Sequence, residues 1–139
     1  MLINSRIKKI HEMFEVFDNP MDKYTQLIEI GKNSTPLSDK DKNNTNKIYG
    51  CASQAWVKVE FKNNSFIIKT DSDTLIVKGL LNILTSILNG STKKEILNLQ
   101  IEDILINIGL ENSITSQRTN GFLSALNKIK ESLDENGKQ

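Results

Sequence analysis

The stretch Trp56-Val57-Lys58-Val59-Glu60-Phe61 decides the class of fold, because apolar and charged side chains alternate along it. Such alternation is typical of a half-buried strand. The polar residues 62–65 predict a hairpin turn, and residues 66–70 predict the antiparallel return strand. Helical patterns fill most of the remaining chain. The sequence therefore predicts an α+β fold in a single domain, residues 1–139, with a small hairpin-centred antiparallel sheet packed against several helices.

Two helical patterns and a long polar segment precede the hairpin. Isoleucine and phenylalanine recur at steps of three and four within residues 3–17, which predicts an amphipathic helix. Asn19 and Pro20 predict the N-cap and first turn of a second helix, and Gly31 predicts its end. Residues 32–47 predict a loop, and a loop of that length favours a functional role.

Further helices follow the hairpin. Asp71-Ser72-Asp73 predicts a helix start, because short polar side chains accept from free backbone N–H groups and carboxylates suit the positive end of the helix dipole. The strongly apolar helix that follows is predicted to end at Gly90, and Gly79 within it leaves room for another element to approach closely. Thr92 and Glu95 predict a capping box.

The last part of the chain predicts two more helices and a tail. The first is short and covers about residues 101–108. The second is capped by Thr115 or Ser116 and has an apolar face. Residues 134–139 are predicted to be a frayed tail. The apolar face is formed by Phe122, Leu126, Ile129 and Leu133.

Cys51 is the only cysteine of the chain, and it follows Gly50 on the predicted turn before the strand. A turn can present a thiol to another protein. One cysteine excludes an internal disulfide, a Cys-x-x-Cys redox pair and a cysteine ligand set for zinc or an iron–sulfur cluster. We therefore expect no bound metal and no cofactor. The alternative is that Cys51 is a small buried hydrophobic residue.

A single thiol is sufficient for sulfur transfer. That chemistry needs a thiolate that attacks an electrophilic sulfur and then carries it as a persulfide. Because a persulfide is labile, the site should shield the sulfur between partners, and Trp56 with nearby apolar residues could do so.

Composition excludes several classes of partner. The 139 residues carry 18 basic and 17 acidic side chains, a net charge of +1, which gives no electrostatic footprint for nucleic acid or an anionic membrane. No apolar stretch is long enough to span a bilayer. The N-terminal residues lack the order of a signal peptide, and a free cysteine suits a reducing compartment. We therefore expect a cytoplasmic protein.

The other polar candidates each have a purely structural interpretation besides a functional one. His11, the only histidine, could serve as the base of a Cys–His hydrolase, but a surface or boundary position is favoured. Asp71 and Asp73 could be paired acid–base carboxylates, but helix capping is favoured. Arg118 lies near a predicted helix start, against the dipole preference. This predicts a partner for it, either one of those aspartates or an incoming protein, unless it is simply exposed.

Three segments resemble the SufE family of sulfur-acceptor proteins. They are Gly50-Cys51-Ala52-Ser53-Gln54-Ala55-Trp56, then Asp71-Ser72-Asp73-Thr74-Leu75-Ile76-Val77-Lys78-Gly79-Leu80, and Thr115-Ser116-Gln117-Arg118-Thr119-Asn120-Gly121-Phe122. The likeness extends over about residues 3–133. Ala52 stands where the family usually has a larger polar residue, and Ser116 where proline is common.

The resemblance implies a function for the thiol. Cys51 would take persulfide sulfur from a SufS-type cysteine desulfurase, stimulate that enzyme, and pass the sulfur to an iron–sulfur scaffold complex. It also implies a fold shared with IscU-type scaffolds, and that pyridoxal phosphate belongs to the desulfurase. The family's functional positions fall on two groups of residues: the loop-shaping Gly50, Ser53, Gln54 and Trp56, and the partner-facing Asp73 and Arg118.

Three other functions stay open at this point. The first is a persulfide acceptor for a paralogous desulfurase that feeds tRNA thiolation or cofactor assembly. The second is an independent cysteine hydrolase or peroxidase, although the chain offers neither a convincing base nor a resolving cysteine. The third is a homodimer that holds a cluster between two copies of Cys51.

Overall fold

An antiparallel hairpin separates two groups of helices along the chain, which confirms the predicted α+β class. The computed structural model describes residues 2–50, 53–63, 65–110 and 112–136. A short 3-10 turn, Asp39–Asp41, lies in the long segment before the hairpin. The elements are α1 (Leu2–Glu15), α2 (Pro20–Lys32), β1 (Ala55–Lys62), β2 (Ser65–Ser72), α3 (Leu75–Leu88), α4 (Lys93–Leu97), α5 (Ile101–Asn107) and α6 (Ser116–Asn136).

The hairpin has the predicted polarity and a tight turn. β1 and β2 pair in a register that runs from Ala55 opposite Ser72 to Lys62 opposite Ser65. Asn63, in the turn, has a φ of 54°, a conformation that asparagine tolerates. Asn64 lies outside the described residues. Since side chains alternate between the two faces of a strand, Ala55 and Trp56 lie on opposite faces of the sheet.

The core lies on the Ala55 face of the hairpin, and α3 is its most buried helix. Ten of the 14 residues of α3 are buried, and the helix packs against α1, α2, β2 and α6. The apolar face that was predicted for the last helix is also buried, as expected from its spacing. That face consists of Phe122, Leu126, Ile129 and Leu133.

Two glycines permit the close crossing of α2 and α3. A Cβ on Gly31 would collide with the carbonyl oxygen of Leu75, and one on Gly79 would collide with that of Leu27. The expectation for Gly79 is thus confirmed. The prediction that Gly31 ends α2 is wrong, because the helix continues to Lys32 and Gly31 is needed for packing instead.

Several predicted helix boundaries are confirmed. The Asn19 side chain caps α2 by accepting from the backbone N–H of Asp22 at 2.9 Å, with Pro20 in the first turn. Thr92 and Glu95 form both bonds of the capping box. Thr115 Oγ1 accepts from the N–H of Arg118 at 3.3 Å at the start of α6.

Two boundaries differ from prediction. Asp71 and Ser72 do not start α3, because β2 continues to Ser72 and the N-cap position belongs to Thr74. Of the tail predicted to fray, residues 134–136 are helical, while 137–139 lie outside the described residues. Within the described ranges, no helix is both long and apolar enough to cross a membrane.

Candidate functional site

Cys51 and Ala52 lie outside the described residues, so the site is built from the residues on either side of them. The segment 49–54, here called the thiol loop, joins two paired stems, residues 46–48 and 55–57. The N–H of Ile48 donates to the carbonyl of Ala55 and the N–H of Val57 donates to that of Asn46, both at 2.8 Å. Between the stems, Lys47 and Trp56 form an isolated antiparallel bridge, so the loop begins and ends at a fixed base.

Gly50 has a backbone that favours glycine. Its φ is +88°, in the left-handed region where a Cβ is unfavourable. A Cβ at this position would also stand 3.0 Å from the hydroxyl oxygen of Ser124 on α6. Gly50, directly before Cys51, therefore turns the chain in a backbone conformation that a larger residue would adopt only with strain. A side chain at this position would also crowd Ser124 on α6.

The other end of the thiol loop is bonded to the junction of β2 and α3. The N–H of Gln54 donates to Asp73 Oδ1 at 3.1 Å. The carbonyl of Gln54 accepts from the N–H of Asp73 at 3.0 Å and from the hydroxyl of Ser72 at 2.8 Å. Thr74, at the N-cap, makes no capping bond with its side chain. Its hydroxyl donates to Ser53 Oγ at 3.0 Å instead.

These bonds revise the interpretation of Asp73. Asp73 was expected to cap the helix and to interact with the helix dipole, together with Asp71. The prediction of a capping hydrogen bond is wrong. The carboxylate accepts from the thiol loop, 19 residues away in sequence. A carboxylate that accepts from a backbone N–H forms one of the stronger hydrogen bonds, so Asp73 fixes the last residue of the loop.

Trp56 is buried, with 8% of its surface exposed, but it lies on the face of β1 opposite to the core. The ammonium of Lys42 lies 5.6 Å from the centre of its ring, within range of a cation–π interaction. The Trp56 ring therefore contacts the long loop before β1. The expectation that it shields the thiol concerns Cys51 and stays a prediction.

Asp71, which shares that face, is almost completely buried at 1% exposure. One carboxylate oxygen accepts from the N–H of Leu37 at 2.9 Å and lies 3.3 Å from Lys42 Nζ. The other accepts from the N–H of Ser72 at 2.8 Å and lies 3.5 Å from Lys78 Nζ. Burial raises the pKa of Asp71, but these four donors outweigh burial and hold the pKa below its usual value.

Arg118 does not pair with either aspartate in the part of the chain that the structure describes. Its guanidinium lies 6.0 Å from the centre of the Tyr24 ring. It also lines a cavity of about 10 Å³, which is too small for any ligand larger than one water. The three segments that resembled one family meet there. The lining residues are Ile48, Ala55, Val77, Leu80, Leu81, Arg118, Gly121 and Phe122.

His11 has the boundary position that was favoured for it. Its Nδ1 lies 3.3 Å from a carboxylate oxygen of Glu15, one turn along α1. Among the described residues, no three histidine, cysteine or acidic side chains converge as a metal site.

Sequence reasoning missed three residues that hold the loop or the segment before it, namely Lys42, Ser72 and Thr74. It also missed Ser124, which lies close to Gly50. Ser72 was expected to start a helix, and Lys42 was one of several lysines in a polar segment. Ser124 carries no sequence signal that distinguishes it from an exposed helix residue. For Thr74, the position directly after the candidate caps Asp71, Ser72 and Asp73 was the one hint of a role in the junction.

Comparison with known proteins places this site in context. The family model described as "SufE: Fe-S metabolism associated domain" matches residues 8–133. The cysteine desulfuration protein SufE of Wigglesworthia glossinidia brevipalpis is 32% identical over 133 residues, covering 94% of this chain and 92% of that one. An uncharacterized SufE-like protein of Synechocystis is 36% identical over 116 residues, with 84% and 72% covered.

Two further similarities carry less weight. SufE-like protein 1 of Arabidopsis thaliana, named as chloroplastic/mitochondrial, is 36% identical over 122 residues, but this chain spans only 33% of its length. The solution structure of a hypothetical protein from Thermus thermophilus superposes with a TM-score of 0.77 at 16% identity, covering 96% of this chain and 97% of that one. This last likeness supports the fold alone.

Proposed function

This chain belongs to the SufE family, and on that premise we propose that it accepts sulfur on Cys51 from a SufS-type cysteine desulfurase. It stimulates that enzyme and passes the sulfur to an iron–sulfur scaffold complex in the cytoplasm. The observation that carries the proposal is the family match over residues 8–133, because it includes Cys51 and every segment that supports the thiol loop.

The transfer step needs only one thiol on this chain. The Cys51 thiolate attacks the outer sulfur of a persulfide on the desulfurase cysteine. A new S–S bond forms at Cys51, and the S–S bond on the desulfurase breaks. The electron pair of the broken bond stays on the desulfurase cysteine as a thiolate. No oxidant or reductant is consumed, and a second transfer of the same kind delivers the sulfur to the acceptor.

The geometry around the loop supports this role. The thiol loop starts at a stem held by two backbone hydrogen bonds and ends at Gln54, which is held by Ser72 and Asp73. A reactive group on such a base can be placed reproducibly against a partner, and placement is a large part of the rate of a two-site reaction. A single cysteine also favours a carrier over a cluster scaffold.

The test is Cys51→Ser in an assay of the desulfurase with cysteine and pyridoxal phosphate. Serine nearly matches cysteine in size but cannot take or release sulfane sulfur, so we expect loss of stimulation with an unchanged fold by circular dichroism. Ser86→Ala, an exposed change on α3, is the matched control and should stimulate like the wild type. Full stimulation by Cys51→Ser would show that Cys51 is not the acceptor.

A further inference from the structure

The segment 33–47, here called the strap, follows α2 and ends within the first stem of the thiol loop. It lies against the face of the hairpin that carries Trp56 and Asp71. The N–H of Leu37 donates to Asp71, and Lys42 contacts both Asp71 and the Trp56 ring. Further along, Asp41 Oδ1 lies 3.1 Å from Lys58 Nζ. The strap is therefore attached to the hairpin before it reaches residue 46.

Asp71 is the point where the supports of both stems meet. One carboxylate oxygen holds the strap, through Leu37 and Lys42. The other holds the N–H of Ser72, and the hydroxyl of Ser72 donates to the carbonyl of Gln54 at the end of the loop. The strap leads to the first stem and Gln54 leads into the second. One buried side chain thus connects the two ends of the loop that carries Cys51.

We propose that Asp71 is a positioning residue for sulfur transfer, and that its ionised carboxylate sets the placement of Cys51 by fastening both stems of the thiol loop. This inference rests on the proposed function and deepens it. Asp71 acts through Ser72, Gln54 and the strap.

The charge of Asp71 is what the arrangement requires. An ionised carboxylate only accepts hydrogen bonds, and all four groups that face it are donors: two backbone N–H groups and the ammonium groups of Lys42 and Lys78. Asparagine has nearly the same shape but directs an NH₂ group at one pair of these donors. Asp71→Asn therefore loosens one attachment, either the strap or the β2 end, while the core face of the hairpin is left unchanged.

Two readouts test the proposal, and one does not involve the desulfurase. The first is the rate at which iodoacetamide alkylates Cys51 in the free protein. The second is the maximal rate of desulfurase stimulation, measured separately from the carrier concentration that gives half of it. For Asp71→Asn we expect alkylation to change at least threefold and the maximal rate to fall at least threefold. The half-stimulating concentration should change less than twofold, since the exposed surface of the protein is kept.

Control variants separate positioning from a general loss of stability. Ile104→Val changes a buried residue of α5, away from the strap, and should lower the melting temperature without changing the alkylation rate of Cys51. Lys42→Met removes one of the two contacts between the strap and Asp71, and the Leu37 bond remains. Ser72→Ala removes one of the two hydrogen bonds to the Gln54 carbonyl, and the Asp73 bond remains. Each of these two should reproduce part of the Asp71→Asn effect on alkylation. If Asp71→Asn does not fold, they carry the test by themselves.

The outcomes are distinct. The proposal would be overturned if Asp71→Asn showed the alkylation rate and stimulation of the wild type. The same result in both Lys42→Met and Ser72→Ala would also overturn it. Effects no larger than those of Ile104→Val would do the same, because they would follow from stability alone. If the wild type fails to stimulate the desulfurase while alkylation still responds to Asp71→Asn, the proposed function fails and the positioning of the thiol by Asp71 stands.

Discussion

Asp71 shows most clearly what residue type alone does not determine. A short acidic residue before an apolar helix pattern predicts a cap, yet Asp71 lies within the last residues of a strand and binds a backbone N–H that lies 34 residues earlier. A cap and a buried anchor use the same side chain. The two roles differ in the hydrogen-bond partner. The partner of Asp71 lies in the strap, and the polar sequence of the strap carries no periodicity.

The lowered pKa of Asp71 predicts how stability depends on pH. A folded-state pKa below the unfolded value gives stability that is full above the unfolded pKa and is lost as the pH falls through the folded one. The free energy of unfolding of Asp71→Asn should therefore be about 1–3 kcal/mol lower than that of the wild type at pH 7. This difference should shrink below about pH 4. Urea unfolding across pH measures it. Asp39→Asn, at an exposed carboxylate, serves as control, and a pH-independent difference for Asp71→Asn would contradict the account.

Trp56 allows a second test at this scale. Trp56→Ala should lower the free energy of unfolding by about 3–5 kcal/mol, because a large buried side chain is removed. Tyr49→Ala removes an aromatic that is 63% exposed and should change it by less than about 0.5 kcal/mol. Thermal unfolding compares the two. Equal melting temperatures for Trp56→Ala and wild type would show that Trp56 is exposed in solution.

Among the elements, those with local signals were predicted and the strap was not. Asn19, Thr92 and Glu95 cap helices as their sequence pattern indicates, because a cap involves residues within one turn. The strap depends on pairings with β1 and β2 that lie far away in sequence. The sequence showed only a long polar segment there, and its length was the single hint of a role.

The crossing of α2 and α3 gives a prediction at the scale of elements. Gly79→Ala places a methyl group against the carbonyl of Leu27, so the helices must separate. Overpacking of this kind costs about 1–3 kcal/mol. Ser86→Ala, on the exposed side of the same helix, should stay within about 0.5 kcal/mol of wild type. Urea midpoints measure both, and an unchanged midpoint for Gly79→Ala would show that the helices cross at a greater distance.

At the scale of the whole molecule, the fold brings together segments that are far apart in sequence. The second stem, the first turns of α3 and the start of α6 line one small cavity, and these are the segments on which the resemblance to the family was based. The sequence predicted their importance and the class of fold. It did not predict that Ser72, Asp73 and Thr74 bond to the thiol loop, since those contacts depend on the exact end of β2.

The proposed transfer of sulfur to Cys51 changes the intact mass of the protein, and this change can be measured. The protein is mixed with a SufS-type desulfurase, cysteine and pyridoxal phosphate, and its mass is then determined with and without reductant. If Cys51 carries sulfur, the mass rises by one sulfur atom and reductant reverses the gain. Alkylation beforehand should block the gain, and Cys51→Ser should not show it. An unchanged mass of the wild type, or the same gain in Cys51→Ser, would contradict the proposed transfer.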